Sequence, residues 1–188
     1  GQVVSVCLRN SSNDGVGCVP EYGADRTIFS ALLDARDQFG GKRIAIEDPE
    51  RAPLTYNRLI LGALVLGQAF TKWTERGEVV GVLLPSVNAA VVSMFALSAY
   101  GRVFSPLNFT SGLKNISSAI KAAEINTVIT SYRFVEMAKL EELVEALAAQ
   151  SGVRIIYLED VRKEITSFDK AIAVIKAPIA RMLHAHYA

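Results

Sequence analysis

The sequence predicts an α/β fold: a three-layer sheet with mostly parallel strands and flanking helices. Three observations lead there. Short β-branched blocks recur at Val79–Leu84, Arg102–Leu107, Thr127–Thr130 and Val153–Leu158. Between them lie stretches with apolar residues at helical spacing, such as Leu113, Ile116, Ala119, Ile120 and Ala123. The links are short, and strand–helix–strand units with short links run their strands parallel through right-handed crossovers.

The elements follow in order. Residues 1–25 hold Asn10-Ser11-Ser12-Asn13-Asp14-Gly15 and Pro20 without sustained periodicity, and read as a leader or linker in which Val3–Leu8 is the one candidate strand. A helix is expected from about Thr27 to Phe39, stopped by Gly40-Gly41. Ile44-Ala45-Ile46 and Leu54-Thr55 read as a hairpin around Asp48–Pro53. Tyr56 to about Trp73 is a helix so apolar all round that it is expected to be largely buried. The α/β body occupies 26–166. The remainder, 167–188, is expected to be an amphipathic C-terminal helix kinked at Pro178, with Phe168, Ile172, Ile175, Ile179 and Leu183 on one stripe.

Val79 to Gly101 is a run of 23 uncharged residues, long enough to span a bilayer if it were one helix. Pro85-Ser86-Val87-Asn88 breaks it into a β-branched block and an alanine-rich one. A buried strand, a turn offering Ser86 or Asn88 as N-cap, and a helix closed by Gly101 account for the run without a membrane.

Composition narrows the function classes. Of 188 residues, 51% are hydrophobic and 21% charged, which excludes a disordered chain. Twenty basic and 19 acidic residues leave a net charge of +1, so no electrostatic footprint for nucleic acid is present. Cys7 and Cys18 alone make neither a zinc site nor a disulfide framework, which points to a reducing cytoplasm. The chain opens on Gly1, and is expected to be a processed or excised piece.

An ordered series of segments carries a resemblance. Ala45-Ile46-Glu47-Asp48 with Leu54-Thr55-Tyr56, then Gly77-Glu78-Val79-Val80-Gly81-Val82-Leu83-Leu84-Pro85-Ser86, then Ala99-Tyr100-Gly101-Arg102-Val103-Phe104-Ser105-Pro106-Leu107-Asn108, then Asn126-Thr127-Val128-Ile129-Thr130, resemble the opening of adenylate-forming (AMP-dependent synthetase/ligase) enzymes. Asp25–Phe29, Ile46–Arg51, Leu107–Gly112 and Tyr157–Arg162 are similar to one branch, the acyl-acyl carrier protein synthetase part of bifunctional 2-acylglycerophosphoethanolamine acyltransferases. The resemblance covers about Asp25 to His184 and implies the N-terminal subdomain of such a ligase. It further implies a parent that makes an acyl adenylate from a fatty acid with ATP and Mg, passes the acyl group to acyl carrier protein, and serves lysophospholipid reacylation at the inner membrane of a bacterium.

The resemblance also implies a phosphate-holding loop of the form S/T-S-G-T-T-G-x-P-K, and these 188 residues do not contain one. The chain is therefore expected to be a ligase fragment, inactive by itself, whose partner is the remainder of the ligase. The C-terminal stripe is expected to dock on that remainder rather than on a membrane, and exposed surface to permit a homo-oligomer. The alternative reading is a stand-alone flavodoxin-like module that binds a small ligand or another protein. A reading frame continuing past Ala188 into a Gly-rich loop would separate the two.

No residue is assigned a catalytic, cofactor-binding or metal-binding role. Thr110-Ser111-Gly112-Leu113-Lys114 has one glycine, too few to curl amides round a phosphate, and reads as a helix start capped by Thr110 or Ser111. Gly15-Val16-Gly17 lacks the third glycine and the helix of a dinucleotide fingerprint. His184 and His186, at i and i+2, face different sides of a helix and are expected at the surface. Glu159-Asp160 read as solvated acids at a helix start rather than a catalytic pair, and Glu141, Glu142 and Glu145 as a charged helix face.

Overall fold

A computed structural model describes residues 26–48, 51–85 and 88–187. The expectations for residues 1–25, with Cys7, Cys18 and the Gly15–Gly17 segment, and for Ser86 as a cap, lie outside the described residues.

Helix α1 spans Ile28–Phe39, with the Thr27 hydroxyl accepting from Ser30 N as its N-cap. Strands β1 (Ile44–Asp48) and β2 (Arg51–Thr55) form the antiparallel hairpin, and Thr55 caps α2 (Tyr56–Phe70). The uncharged 79–101 run divides at Pro85 into β3 (Val79–Val82) and α3 (Asn88–Ala99). Asn88 is the first residue of that helix rather than the residue before it. Among the described residues no helix is long and apolar enough to cross a membrane.

Strand β4 (Val103–Pro106), a 3₁₀ turn at Phe109–Ser111 and α4 (Gly112–Ala122) follow. The cap here differs from expectation. Asn108 Oδ1 accepts from Thr110 N at 3.0 Å, whereas Ser111 makes no side-chain cap bond to α4. An Asn side chain two residues before an amide reaches it without strain, so Asn108 caps the 3₁₀ turn, while Ser111 holds the N-cap position of α4 without a side-chain bond. Then come β5 (Thr127–Thr130), α5 (Tyr132–Ala138), α6 (Glu141–Ser151), β6 (Arg154–Tyr157) and α7 (Leu158–Glu164).

The four later strands form one parallel sheet in the order β4-β3-β5-β6. Two apolar cores cover its two faces. Val80, Val82, Ile129 and Ile156 face α1, α2, α3 and α7, while Val128 and Val153 face α4, α5 and α6. That is the three-layer α/β arrangement the sequence predicts.

The C-terminal segment is α8 (Ser167–Lys176), a 3₁₀ turn at Ala177–Ile179 that contains Pro178, and α9 (Ala180–Tyr187). The isoleucine stripe, expected to dock outside these 188 residues, is not the face packed on the body. Ala173, Ala180 and His184 are buried against α1 and α2, whereas Ile175 is 71% exposed and Ile179 45%. Small side chains let the helices approach closely, so the alanine face goes inward and the branched residues face out. His184 is a second correction: it is 5% exposed, not a surface residue. Its Nδ1 lies 3.1 Å from Ala99 O, its Nε2 pairs with the Thr27 hydroxyl, and its ring meets Phe29 edge-on at 5.2 Å. Imidazole can satisfy two polar groups at opposite ends of one flat ring, which suits the seam where α1, α3 and α9 meet. His186 is exposed, as expected. Arg181 adds ion pairs to Asp34 and Asp37 across the same seam, and its guanidinium holds the Asp37 carboxyl below the usual range.

Helices α2 and α3 pack most closely at Gly67. A Cβ placed there would lie 2.5 Å from Tyr100 Cδ2 and 2.6 Å from Ala96 O. Tyr100 is fully buried in this contact and donates to Leu64 O at 3.2 Å; burial foremost, with Tyr187 beside it, pushes its phenol up to about 12. Gly62, on the same helix, has only Val92 Cγ1 near its Cβ direction, at 3.6 Å. Gly67→Ala is expected to lower the unfolding free energy by about 1–3 kcal/mol through overpacking. Gly62→Ala should leave it unchanged or raise it by up to about 1 kcal/mol through helix propensity. Urea denaturation of the two variants side by side checks the contrast.

Candidate functional site

In an open parallel sheet, ligand crevices form at the carboxyl ends of the strands where the connections diverge. Here that point lies between β3 and β5. The chain leaving β3 enters α3 on one face of the sheet, and the chain leaving β5 enters α5 on the other. Thr130 Oγ1 donates to Leu83 O at 2.9 Å and closes the two strand ends against each other.

A cleft of about 860 Å³ opens beside this junction. One wall is α2, through Arg58, Leu61 and Val65; a second is α5, through Arg133, Phe134 and Met137. The third is α7 and the residue after it, through Leu158, Arg162 and Ile165. Most of the lining is apolar. This explains why α2 is hydrophobic all round: Leu59, Ile60, Ala63 and Leu64 are buried in the core, while Leu61, Val65 and Leu66 are half-buried and border the cleft.

The polar end of the cleft is built around Glu159. Its carboxylate accepts from Ser131 Oγ at 2.7 Å, from Tyr132 N at 3.1 Å and from Arg133 N at 3.5 Å. Glu159 therefore opens α7 and caps α5 together, a role across two helices that a single-helix reading of Glu159-Asp160 misses. Partial burial pushes its carboxyl up, but the hydrogen bonds from Ser131 and the α5 amides outweigh that and hold it below the usual range. Asp160 faces outward, accepting from Lys163 Nζ and Tyr132 Oη at 2.8 Å each, and these bonds lower its carboxyl. Tyr132 and Tyr157 stack at 3.7 Å, and the bond to Asp160, foremost, raises the Tyr132 phenol.

A second depression, of about 760 Å³, lies at the amino ends of the strands beside Glu75, Arg76, Glu124 and Arg154. Polar and on the far side of the sheet from the switch point, it lacks the crevice geometry.

The Thr110–Gly112 turn does not fit a polyphosphate. Thr110 N–H and hydroxyl both go to Asn108 Oδ1, and Ser111 Oγ donates to Asn108 O at 2.6 Å, so its polar groups are turned inward on the turn itself. Glu141, Glu142 and Glu145 lie exposed on α6. Among the described residues no group of three His, Cys, Asp or Glu side chains could hold a metal ion.

Parallel order, paired cores and a crevice at the β3–β5 switch define an open, doubly wound α/β unit. Residues 33–182 match the AMP-binding enzyme family, and the chain belongs to that family. It is similar in fold to VinN in complex with 3-methylaspartate, with a TM-score of 0.65 and 18% identity over 79% of this chain and 38% of VinN. It is similar also to ATP-bound MatB from Rhodopseudomonas palustris, with a TM-score of 0.62 and 21% identity over 74% of this chain and 28% of MatB. A curated relative, the trichosetin synthetase PKS-NRPS1 of Gibberella fujikuroi (strain CBS 195.34 / IMI 58289 / NRRL A-6831), is 25% identical over 118 residues, 62% of this chain and 3% of the synthetase. The chain thus spans well under half of the proteins it resembles, and corresponds to the N-terminal part of adenylate-forming enzymes.

A carboxyl held low by the fold contributes stability above its unfolded value, about pH 4.3 for Glu, and that stability is lost as pH falls through the lower folded value. The Tyr132 and Arg133 amides should therefore lose hydrogen-exchange protection below roughly pH 4. In Glu159→Gln these two amides should be less protected already at pH 7, with no acid step. Protection factors for both amides, corrected for intrinsic exchange, measure the effect.

Proposed function

We propose that the chain is the N-terminal scaffold of an ATP-dependent acyl-acyl carrier protein synthetase that serves lysophospholipid reacylation. The observation that carries the reading is the apolar cleft at the β3–β5 switch point in a chain of the AMP-binding enzyme family. An apolar wall at this position suits an enzyme whose acid substrate is a hydrocarbon chain rather than an amino acid. The motif series at Asp25–Phe29, Ile46–Arg51, Leu107–Gly112 and Tyr157–Arg162 supports the choice of branch. The family match disfavours a stand-alone flavodoxin-like module.

On this reading the chain supplies a sheet, two cores and one wall of the substrate groove. The triphosphate is held by residues outside it, since the Thr110–Gly112 turn does not fit that role. The parent joins a carboxylate to the AMP moiety of ATP with release of pyrophosphate, and the acyl group then moves to the thiol of acyl carrier protein with release of AMP.

Two measurements test this. The 188-residue chain, given ATP, Mg and a fatty acid, should release pyrophosphate at background only; release above background overturns the scaffold role. The full-length protein containing this segment, given the same substrates and holo-acyl carrier protein, should form acyl-acyl carrier protein. Formation of an aminoacyl or coenzyme A thioester in its place overturns the branch assignment.

A further inference from the structure

The polar depression at the amino ends of the strands contains a built corner. Thr127 opens β5 and Arg154 opens β6, and the two are register partners on neighbouring strands, about 4.8 Å apart. Side chains alternate along a strand, so Thr127 and Arg154 share the face of Ile129 and Ile156, which the α2-side core covers. Trp73, just past α2, is half-buried against that same core and borders the depression. Arg154 Nη1 donates to Trp73 O at 3.1 Å, which holds the guanidinium at this corner.

Two polar groups there are left unused by the fold. Thr127 is 3% exposed and lines the depression, yet among the described residues no hydrogen bond reaches its hydroxyl, and the oxygen is not sealed from solvent. A hydroxyl so deeply buried ordinarily has a partner. Arg154 gives one N–H to Trp73 O, and among the described residues the rest of its fork meets no acceptor. Around this corner stand the carboxylates of Glu75, Glu78 and Glu124 and the guanidiniums of Arg76 and Arg154. Among the described residues no ion pair joins any two of these five. Glu78 is engaged by Glu75 N at 2.8 Å, whereas the carboxylates of Glu75 and Glu124 accept no bond among the described residues. Opposite charges are thus held apart around one hollow. A simple anion would meet an excess of carboxylates, and a simple cation would meet Arg154.

We infer that this depression binds a small zwitterion, with its oxyanion on Arg154 and the Thr127 hydroxyl, its ammonium toward Glu75 and Glu124, and its body against Trp73. The volume of about 760 Å³ lies within the range of small-molecule sites. A guanidinium fork beside a hydroxyl suits an oxyanion, because the bonds are charge-assisted. The strands between are four residues long, which puts this site about 10 Å from the cleft at their carboxyl ends. Its ligand is therefore not the acid that the cleft receives, and the inference does not rest on the ligase reading.

Trp73 is the sole tryptophan of the 188 residues, so its fluorescence reports on this corner directly. Titration of the chain without nucleotide uses three probes of one hydrocarbon skeleton: phenylalanine, 3-phenylpropionate and phenethylamine, a zwitterion, an anion and a cation. Phenylalanine should shift the Trp73 emission saturably, with a dissociation constant of about 1 mM or lower and at least tenfold tighter than either singly charged probe. Equilibrium dialysis with radiolabelled phenylalanine should give one site per chain. Thr127→Val keeps the side-chain shape, breaks no hydrogen bond of the fold, and should weaken phenylalanine at least threefold. Arg154→Gln, at an exposed position, should weaken it roughly tenfold while leaving phenethylamine unchanged. Glu124→Gln, also exposed, should weaken phenylalanine and phenethylamine and spare 3-phenylpropionate. Far-UV circular dichroism confirms that each variant is folded. No saturable shift with phenylalanine, equal affinity for the three probes, or binding indifferent to both Thr127→Val and Arg154→Gln overturns the proposal. Each of these failures leaves the pyrophosphate and acyl carrier protein assays untouched.

Discussion

A parallel sheet has no face that can be left to water, because its strands are apolar on both sides and its connections must cross over them. This constraint shapes the molecule. The strands β3 and β5 lie side by side in the interior of the sheet, each hydrogen-bonded on both edges. Helices must therefore cover both faces, and they arrive from opposite directions at the β3–β5 boundary. The two cores follow from that demand, and so does the gap between the diverging helices. The cleft is a geometric consequence of covering both faces with a chain that switches sides.

Close approach of helices holds the covering layer in place. Gly67 lets α3 and Tyr100 sit against α2, and Ala173 and Ala180 let the C-terminal helices lie close to the same layer. His184 then ties α9 to both Ala99 O and Thr27, so one side chain links the first helix, the third and the last. Arg102 works in a similar way at the other end of α2: it is buried, and donates to Tyr100 O, to Thr74 O and to the Thr74 hydroxyl. Buried polar groups of this kind hold only where every donor finds an acceptor.

The strands and helices of the body were legible because each is signalled locally. Pro85 divides the uncharged run, Gly40 stops α1, and β-branched blocks mark β3, β5 and β6. The site was less legible. Arg58, Arg133 and Arg162 carry no signal in the sequence that singles them out from the other basic residues. Nothing in their spacing shows that three helices from distant parts of the chain bring them to one cavity. Glu159 was visible as an acid at a helix start, but its service to α5 depends on β5 and β6 being neighbours. His184 was misjudged for a similar reason. A lone histidine near a chain end carries no sign of the carbonyl and hydroxyl that meet it.

What the sequence by itself determined is the alternation of strands and helices, and with it the α/β class, because hydrophobic period and turn residues act over a few neighbouring positions. Tertiary structure alone decided which face of the C-terminal helix goes inward, which carboxylate caps a foreign helix, and where three guanidiniums border one apolar cavity. Those outcomes depend on distances between residues up to 157 positions apart, as Thr27 and His184 are. No local preference encodes such a meeting; packing the sheet does.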